Sequence, residues 1–220
     1  TGLVRELDKR QTRAGRKPIG LEINASAGQI VGVDVGATHI RAILADIAGR
    51  PLAELSTSFD VRVGPEKTLA EVRRLVERVM RDGESSLGRV RSIGVGVPGP
   101  VISEQGMVLA APIMPGWTEY PIRHTLEATW ERPVVVHNDA NLGALGEWTY
   151  GAGRRCPNLV FVKVGTGIGM GMILGGRLHE GQVGAAGEIG HLTLVENGPL
   201  CSCGNRGCLE ALAGADEEVA

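Results

Sequence analysis

Long apolar runs are missing from this 220-residue chain, which nowhere approaches the roughly 18 to 20 residues a bilayer-spanning helix needs. It also lacks internal repeats, a Gly-X-Y period and low-complexity tracts, which excludes solenoid, collagen-like and wholesale disordered architectures. The start does not have the form of a signal peptide. Cysteine is scarce: there are four, and three of them crowd into "CSCGNRGC", residues 201–208. A disulfide framework is therefore not what holds the chain together, and a reducing, cytoplasmic setting is expected. An initiator Met is missing too, and the last residues, "ALAGADEEVA", stop in mid-pattern. The chain is expected to be a segment of something longer.

Hydrophobic residues make up 43% and charged residues 22%, so a packed core is feasible. Glycine is in excess. The 33 glycines are about twice the ordinary ~7% share, and they are expected at turns and close backbone approaches. The net charge of −2 is unevenly spread. Residues 1–20 carry six basic and two acidic side chains, a net +4; the other 200 carry 17 and 23, a net −6. A basic end on an acidic body points to an anionic partner at that end alone.

Periodicity supplies the elements. Ile19, Leu21 and Ile23 alternate with polar residues, so residues 1–24 read as a hairpin with a long basic loop. "IVGVDVG" from Ile30 reads as a buried strand, and "HIRAILADIAG" and "PLAELSTSF" as two more. Leu69, Val72, Leu75, Val76 and Val79 repeat at helical spacing and predict a helix over 66–81. "VRSIGVGVPGPV" is a further strand, "PVVVHNDANLGALGEW" a strand running into a small-residue helix, and "NLVFVKVGTGIGMGMILGGRL" a second series of strands. The alternation makes the fold class α/β, and the restart near Pro133 predicts two lobes.

Four polar clusters stand near strand ends, where open α/β sheets bind ligands. In "DVGAT", Asp34 could orient a metal or water while Gly36, Ala37 and Thr38 admit an anion; a plain hairpin turn is the alternative. "GTGIG", residues 165–169, could wrap phosphate oxygens, or be a glycine hairpin. In "HNDAN", Asp139 could take a proton from a hydroxyl, with Asn138 and Asn141 beside it; alternatively it caps a helix starting at Ala140. "GEIGH" leads into the cysteine loop with the spacing His191-x9-Cys201-x-Cys203-x4-Cys208. Four soft or borderline ligands on a segment turned by Gly204 and Gly207 suit a tetrahedral zinc ion, with a redox pair or unbound thiols as alternatives. Cys156, alone in "GAGRRCPN", reads as a bystander.

Together these segments resemble the ROK family, which comprises bacterial sugar kinases and sugar-responsive repressors on an actin/hexokinase-like (ribonuclease H-like) two-lobed fold. The resemblance runs from about residue 3 to 213 and is most specific over 187–210, "GEIGH…CSCGNRGCLE". It implies structural zinc on His191, Cys201, Cys203 and Cys208, and sugar contacts from Asn138, Asp139, Glu188, His191 and Glu210. His191 would give one ring nitrogen to each. In the kinases Asp139 would be the general base, with ATP and Mg2+ as partners. Asp34, Gly36 and Thr38, and Gly165, Thr166 and Gly167, would form the two phosphate-binding segments.

Within the family, "GLVREL…GRKPIGLEIN" resembles the end of the winged helix-turn-helix module of the repressors, and "DVGATH", with Ala37 and His39, is closer to the regulators than to the kinases. Arg13, Arg16 and Lys17 near the hairpin tip are then DNA-contact candidates, a solvated basic linker being the alternative. The expected division is a wing and linker over 1–28, a first α/β lobe over 29–133 and a second lobe with the zinc loop over 134–220. The helices that read bases and the C-terminal third with the adenosine-side helices are expected to be missing. The resemblance implies a sugar-responsive repressor with a sugar effector between its lobes. Operator DNA would be its second partner, reached through the largely missing N-terminal module. No membrane partner is expected, and the assembly is expected to be a homodimer or homotetramer. The alternative is an ATP-dependent hexose kinase.

Overall fold

The computed structural model describes residues 2–7, 20–109 and 114–215; Arg13, Arg16 and Lys17 lie outside them. Strand β1 (Val4–Glu6) pairs antiparallel with β2 (Leu21–Ile23), Val4 opposite Ile23 and Arg5 ion-paired with Glu22. These are the paired ends of the expected hairpin. Strands β3 (Gln29–Val35), β4 (His39–Asp46) and β5 (Pro51–Ser58) follow as an antiparallel meander. In β3 the residues Val31, Val33 and Val35 are buried and alternate with Ile30, Gly32 and Asp34, which are not fully covered.

Helix α1 (Pro65–Asp82) opens with proline at its first position, where the missing N–H has no helical partner to lose. Its buried Leu69, Val72, Leu75, Val76 and Val79 form one stripe, laid on β4 and β5. Strand β6 (Val90–Val97) then runs parallel to β3. A ribbon of β7 (Val101–Ile102) and β8 (Met107–Val108) leads to helix α2 (Ile122–Trp130), which buries Ile122, Leu126 and Trp130. Strand β9 (Val134–Asn138) runs parallel to β6. The sheet order is β5-β4-β3-β6-β9, three antiparallel strands followed by two parallel additions.

The second sheet is a meander of β10 (Leu159–Val164), β11 (Ile168–Leu174) and β12 (Arg177–Leu178). Helix α3 (Asp139–Thr149) lies on β10 and β11. The chain thus leaves the first sheet at Asn138 and enters the helix of the second at Asp139. Residues 134–138, placed after the expected division at 133/134, form the edge strand of the five-stranded sheet. A helical turn at Ile189–His191 and helix α4 (Leu209–Ala213) flank the cysteine loop. Among the described residues no helix is long and apolar enough to cross a membrane.

Candidate functional site

Where the two sheets meet there is a cavity of about 550 Å³, within the usual range for small-molecule sites. Its lining includes Asn138, Asp139, Glu188, His191 and Glu210, together with Gly36, Thr38, Gly165, Thr166, Gly167 and Cys203. Asp34, Cys201 and Cys208 do not line it. Residues from stretches far apart in sequence therefore converge on one space.

The junction of β9 and α3 sets the first part. Asn138 caps α3, its side-chain oxygen accepting from Asn141 N–H at 3.0 Å, while its Nδ2 donates to Gly99 O at 3.0 Å. Asp139, read above as the alternative cap, is instead the first helical residue. Its Oδ1 accepts from Ala140 N–H at 2.7 Å and its Oδ2 from the ammonium of Lys163. Lys163 was missed in the sequence reading. The available signal was a single charge in the apolar stretch "NLVFVKV", on the inward face with Leu159 and Phe161. A charge on an inward face needs a partner.

The 187–191 segment is pressed onto β11. A side chain at Gly187 would meet Met170 O at 1.9 Å and one at Gly190 would meet Ile168 O at 2.2 Å. Only glycine at both positions lets the backbone lie this close, which holds Glu188 between them against the sheet. Burial pushes the Glu188 carboxyl above the usual range; the charges of Asp139 and Glu210 push the same way and His191 opposes them. Glu210, at the start of α4, closes over the 165–169 turn. Its Oε2 accepts from Ile168 N–H at 2.9 Å and its Oε1 from Ser202 Oγ at 3.4 Å. One amide of that glycine turn is therefore already held by an internal carboxylate, and Gly165 N–H bonds Gly167 O at 3.0 Å. At the other turn the His39 ring lies over Gly36, with Nε2 3.4 Å from Asp34 Oδ2.

His191, Cys201, Cys203 and Cys208 bring their ligand atoms within 4.8 Å of one another. Cys203 Sγ and Cys208 Sγ are 3.8 Å apart, and Cys201 Sγ is 3.6 Å from His191 Nδ1. A tetrahedral ion with Zn–S near 2.3 Å and Zn–N near 2.05 Å requires edges of about 3.8 and about 3.6 Å. The Cys203–Cys208 and Cys201–His191 edges match those of such an ion, and the four residues could hold it. Gly204 and Gly207, both at positive φ, turn the loop that brings the thiols together. His191 directs Nδ1 to the cysteines and has Nε2 3.9 Å from Glu188 Oε2.

A model of the ROK family matches residues 30–216. The chain belongs to the ROK family. Among ROK relatives, a putative xylose repressor from Caldicellulosiruptor sp. (strain Rt8B.4) is 36% identical over 212 residues, covering 96% of this chain and 53% of the relative. The chain spans about half the length of the curated relatives it matches. A ROK glucokinase from Streptomyces griseus, solved with glucose and AMPPNP, superposes with a TM-score of 0.77 at 34% identity, over 85% of this chain and 57% of that one. A ROK family transcriptional regulator, a homolog of the E. coli MLC protein, superposes with a TM-score of 0.76 at 28% identity, over 97% and 54%. The mixed sheet and these neighbours establish the actin/hexokinase-like fold.

Proposed function

We propose that this chain is the effector-binding part of a sugar-responsive transcriptional repressor. The sugar would sit in the cavity between the lobes, its hydroxyls held by Asn138, Asp139, Glu188, His191 and Glu210. Carboxylates, an imidazole and an amide offer the acceptors and donors that a polyol needs in a confined space. His191, Cys201, Cys203 and Cys208 would hold zinc, which would act structurally, closing a loop with little apolar burial of its own. Residues 1–28 would be the wing and linker of a winged helix-turn-helix module, with Arg13, Arg16 and Lys17 toward phosphates. Lobes over 29–133 and 134–220 would change their closure on sugar binding and pass the change to the DNA-binding module of a dimer or tetramer.

One observation carries the choice of branch. The repressor and regulator relatives match 96% and 97% of the chain, whereas the glucokinase match covers 85%. The test is operator-DNA retention by the whole protein with and without a panel of pentoses and hexoses. Release by a sugar is expected; retention unchanged across the panel would sink the reading. A second reading, an ATP-dependent hexose kinase, is favoured by Asp139 and both glycine turns lining one cavity. Sugar-dependent ADP release that disappears in Asp139→Asn would establish it instead.

A further inference from the structure

Lys163 is the only lysine or arginine among the described residues lining the cavity, which Asp139, Glu188 and Glu210 also line, and its ammonium meets the Asp139 carboxylate. No sequence motif singled it out. Its place follows from how β10 lies on α3. Leu159 lies against Gly153, just past the end of α3, and the Phe161 ring fills the space over Gly143, where a Cβ would come within 2.4 Å of it. Two residues further along the strand, Lys163 meets Asp139, four residues back along the helix. The steps match, because two strand residues advance about 6.6 Å and four helical residues about 6 Å. The packing of the two elements therefore delivers the ammonium to the first residue of α3.

Asp139 has 11% of its side chain exposed and Lys163 38%. A carboxylate covered to that degree needs a partner for its charge. With Ala140 N–H on one oxygen and Lys163 on the other, the Asp139 carboxylate is held in a single orientation, each oxygen keeping a lone pair for a ligand hydroxyl. We infer that Lys163 is a positioning residue for sugar recognition: it fixes and neutralises Asp139 so that this carboxylate can accept a hydroxyl in a cavity already crowded with negative charge. The inference rests on the sugar-sensor reading above and adds the residue on which its affinity turns.

Calorimetric titration of the whole, zinc-loaded protein with D-xylose and with D-glucose tests it. Lys163→Met keeps an unbranched apolar stem of similar length and removes the charge; Lys163→Arg keeps a cation. The Met variant is expected to lose about tenfold or more in affinity, the usual scale for a hydrogen bond to a charged group. The Arg variant should stay within about threefold of wild type. Lys163→Gln leaves a neutral donor beside Asp139 and should fall between the two; it is the second variant should the Met form lose its fold, judged by circular dichroism and zinc content. A Met or Gln variant within twofold of wild type, or an Arg variant as weak as Met, overturns the role of Lys163 and leaves the sensor reading intact. Failure of wild type to bind either sugar overturns the sensor reading and this inference with it.

Discussion

Glu188 is held where a carboxylate is disfavoured. Burial raises its pKa above the ordinary 4.5, and the charges of Asp139 and Glu210 add to the rise. The folded state therefore binds this proton more tightly than the unfolded chain does. The penalty for carrying the charge is present above the folded value, and it is lost as pH falls through that value towards 4.5 and below. Glu188→Gln should accordingly raise Tm at pH 7.5 by about 2 °C. The gain is small because 32% of the side chain is exposed and solvent screens it. At pH 4 the two proteins should unfold together, and at pH 7.5 the variant should bind sugar more weakly with its metal retained. Differential scanning calorimetry at the two pH values decides it; a lower Tm for the variant at pH 7.5 would mean the charge is compensated in the fold. At this scale the four metal-ligand candidates were legible because three lie within eight residues and share a chemistry. Lys163 was not, because its partner Asp139 stands 24 residues away and only the contact between strand and helix joins them.

The elements that carry the site touch at closer range than side chains allow. Gly171 in β11 faces the backbone of α3, and a Cβ there would come within 2.3 Å of Ala140 O. Gly171→Ala must push the helix off the sheet or distort the strand. The expected loss is about 2 kcal/mol, a fall in Tm of roughly 4 to 8 °C in thermal unfolding. Sugar affinity should fall as well, because the displaced helix carries Asp139; an unchanged Tm would show that α3 yields freely. The cysteine loop makes a different case. Leu192, Leu194 and Leu200 beside it are exposed, so little apolar burial holds it. Its fixed points are the ligand cluster, the bonds from Leu194 N–H and Val195 N–H to Gly207 O, and the bridge between Thr193 and Cys208. Cys203→Ala should therefore release zinc, measured by elemental analysis, and lower sugar affinity in the same step; unchanged affinity in the metal-free variant would separate the two. The long helix α1 and the valine-rich strands were legible from period alone. Helix α2 was not: it is nine residues long, begins after Pro121 without a side-chain cap, and shows only Ile122, Leu126 and Trp130 as its pattern.

Across the whole molecule, the two sheets are joined at one peptide, between the last residue of β9 and the first of α3, and the cavity lies at that junction. Strand alternation made the α/β class readable, but not the strand order. β9 belongs to the first sheet because it pairs with β6, some 40 residues earlier, and no local pattern encodes that partner. A ligand in this cavity would lie against Gly36 and Asn138 from the first sheet and against Glu188 and Glu210 from the segment after the second. Its binding free energy is then spread over both lobes and the metal loop, and should appear as stability of the whole. A ligand at 100 times its Kd adds about 2.7 kcal/mol, which for a chain of this size raises Tm by roughly 5 to 10 °C. Zinc-loaded protein with saturating sugar should show that rise in a single transition. After removal of zinc with a chelator, the sugar-induced rise should disappear, because His191, Glu188 and Glu210 all stand on or beside the metal loop. A rise that persists in metal-free protein would mean that the first sheet and Asp139 hold the sugar without the loop, and the coupling of metal to effector would fall.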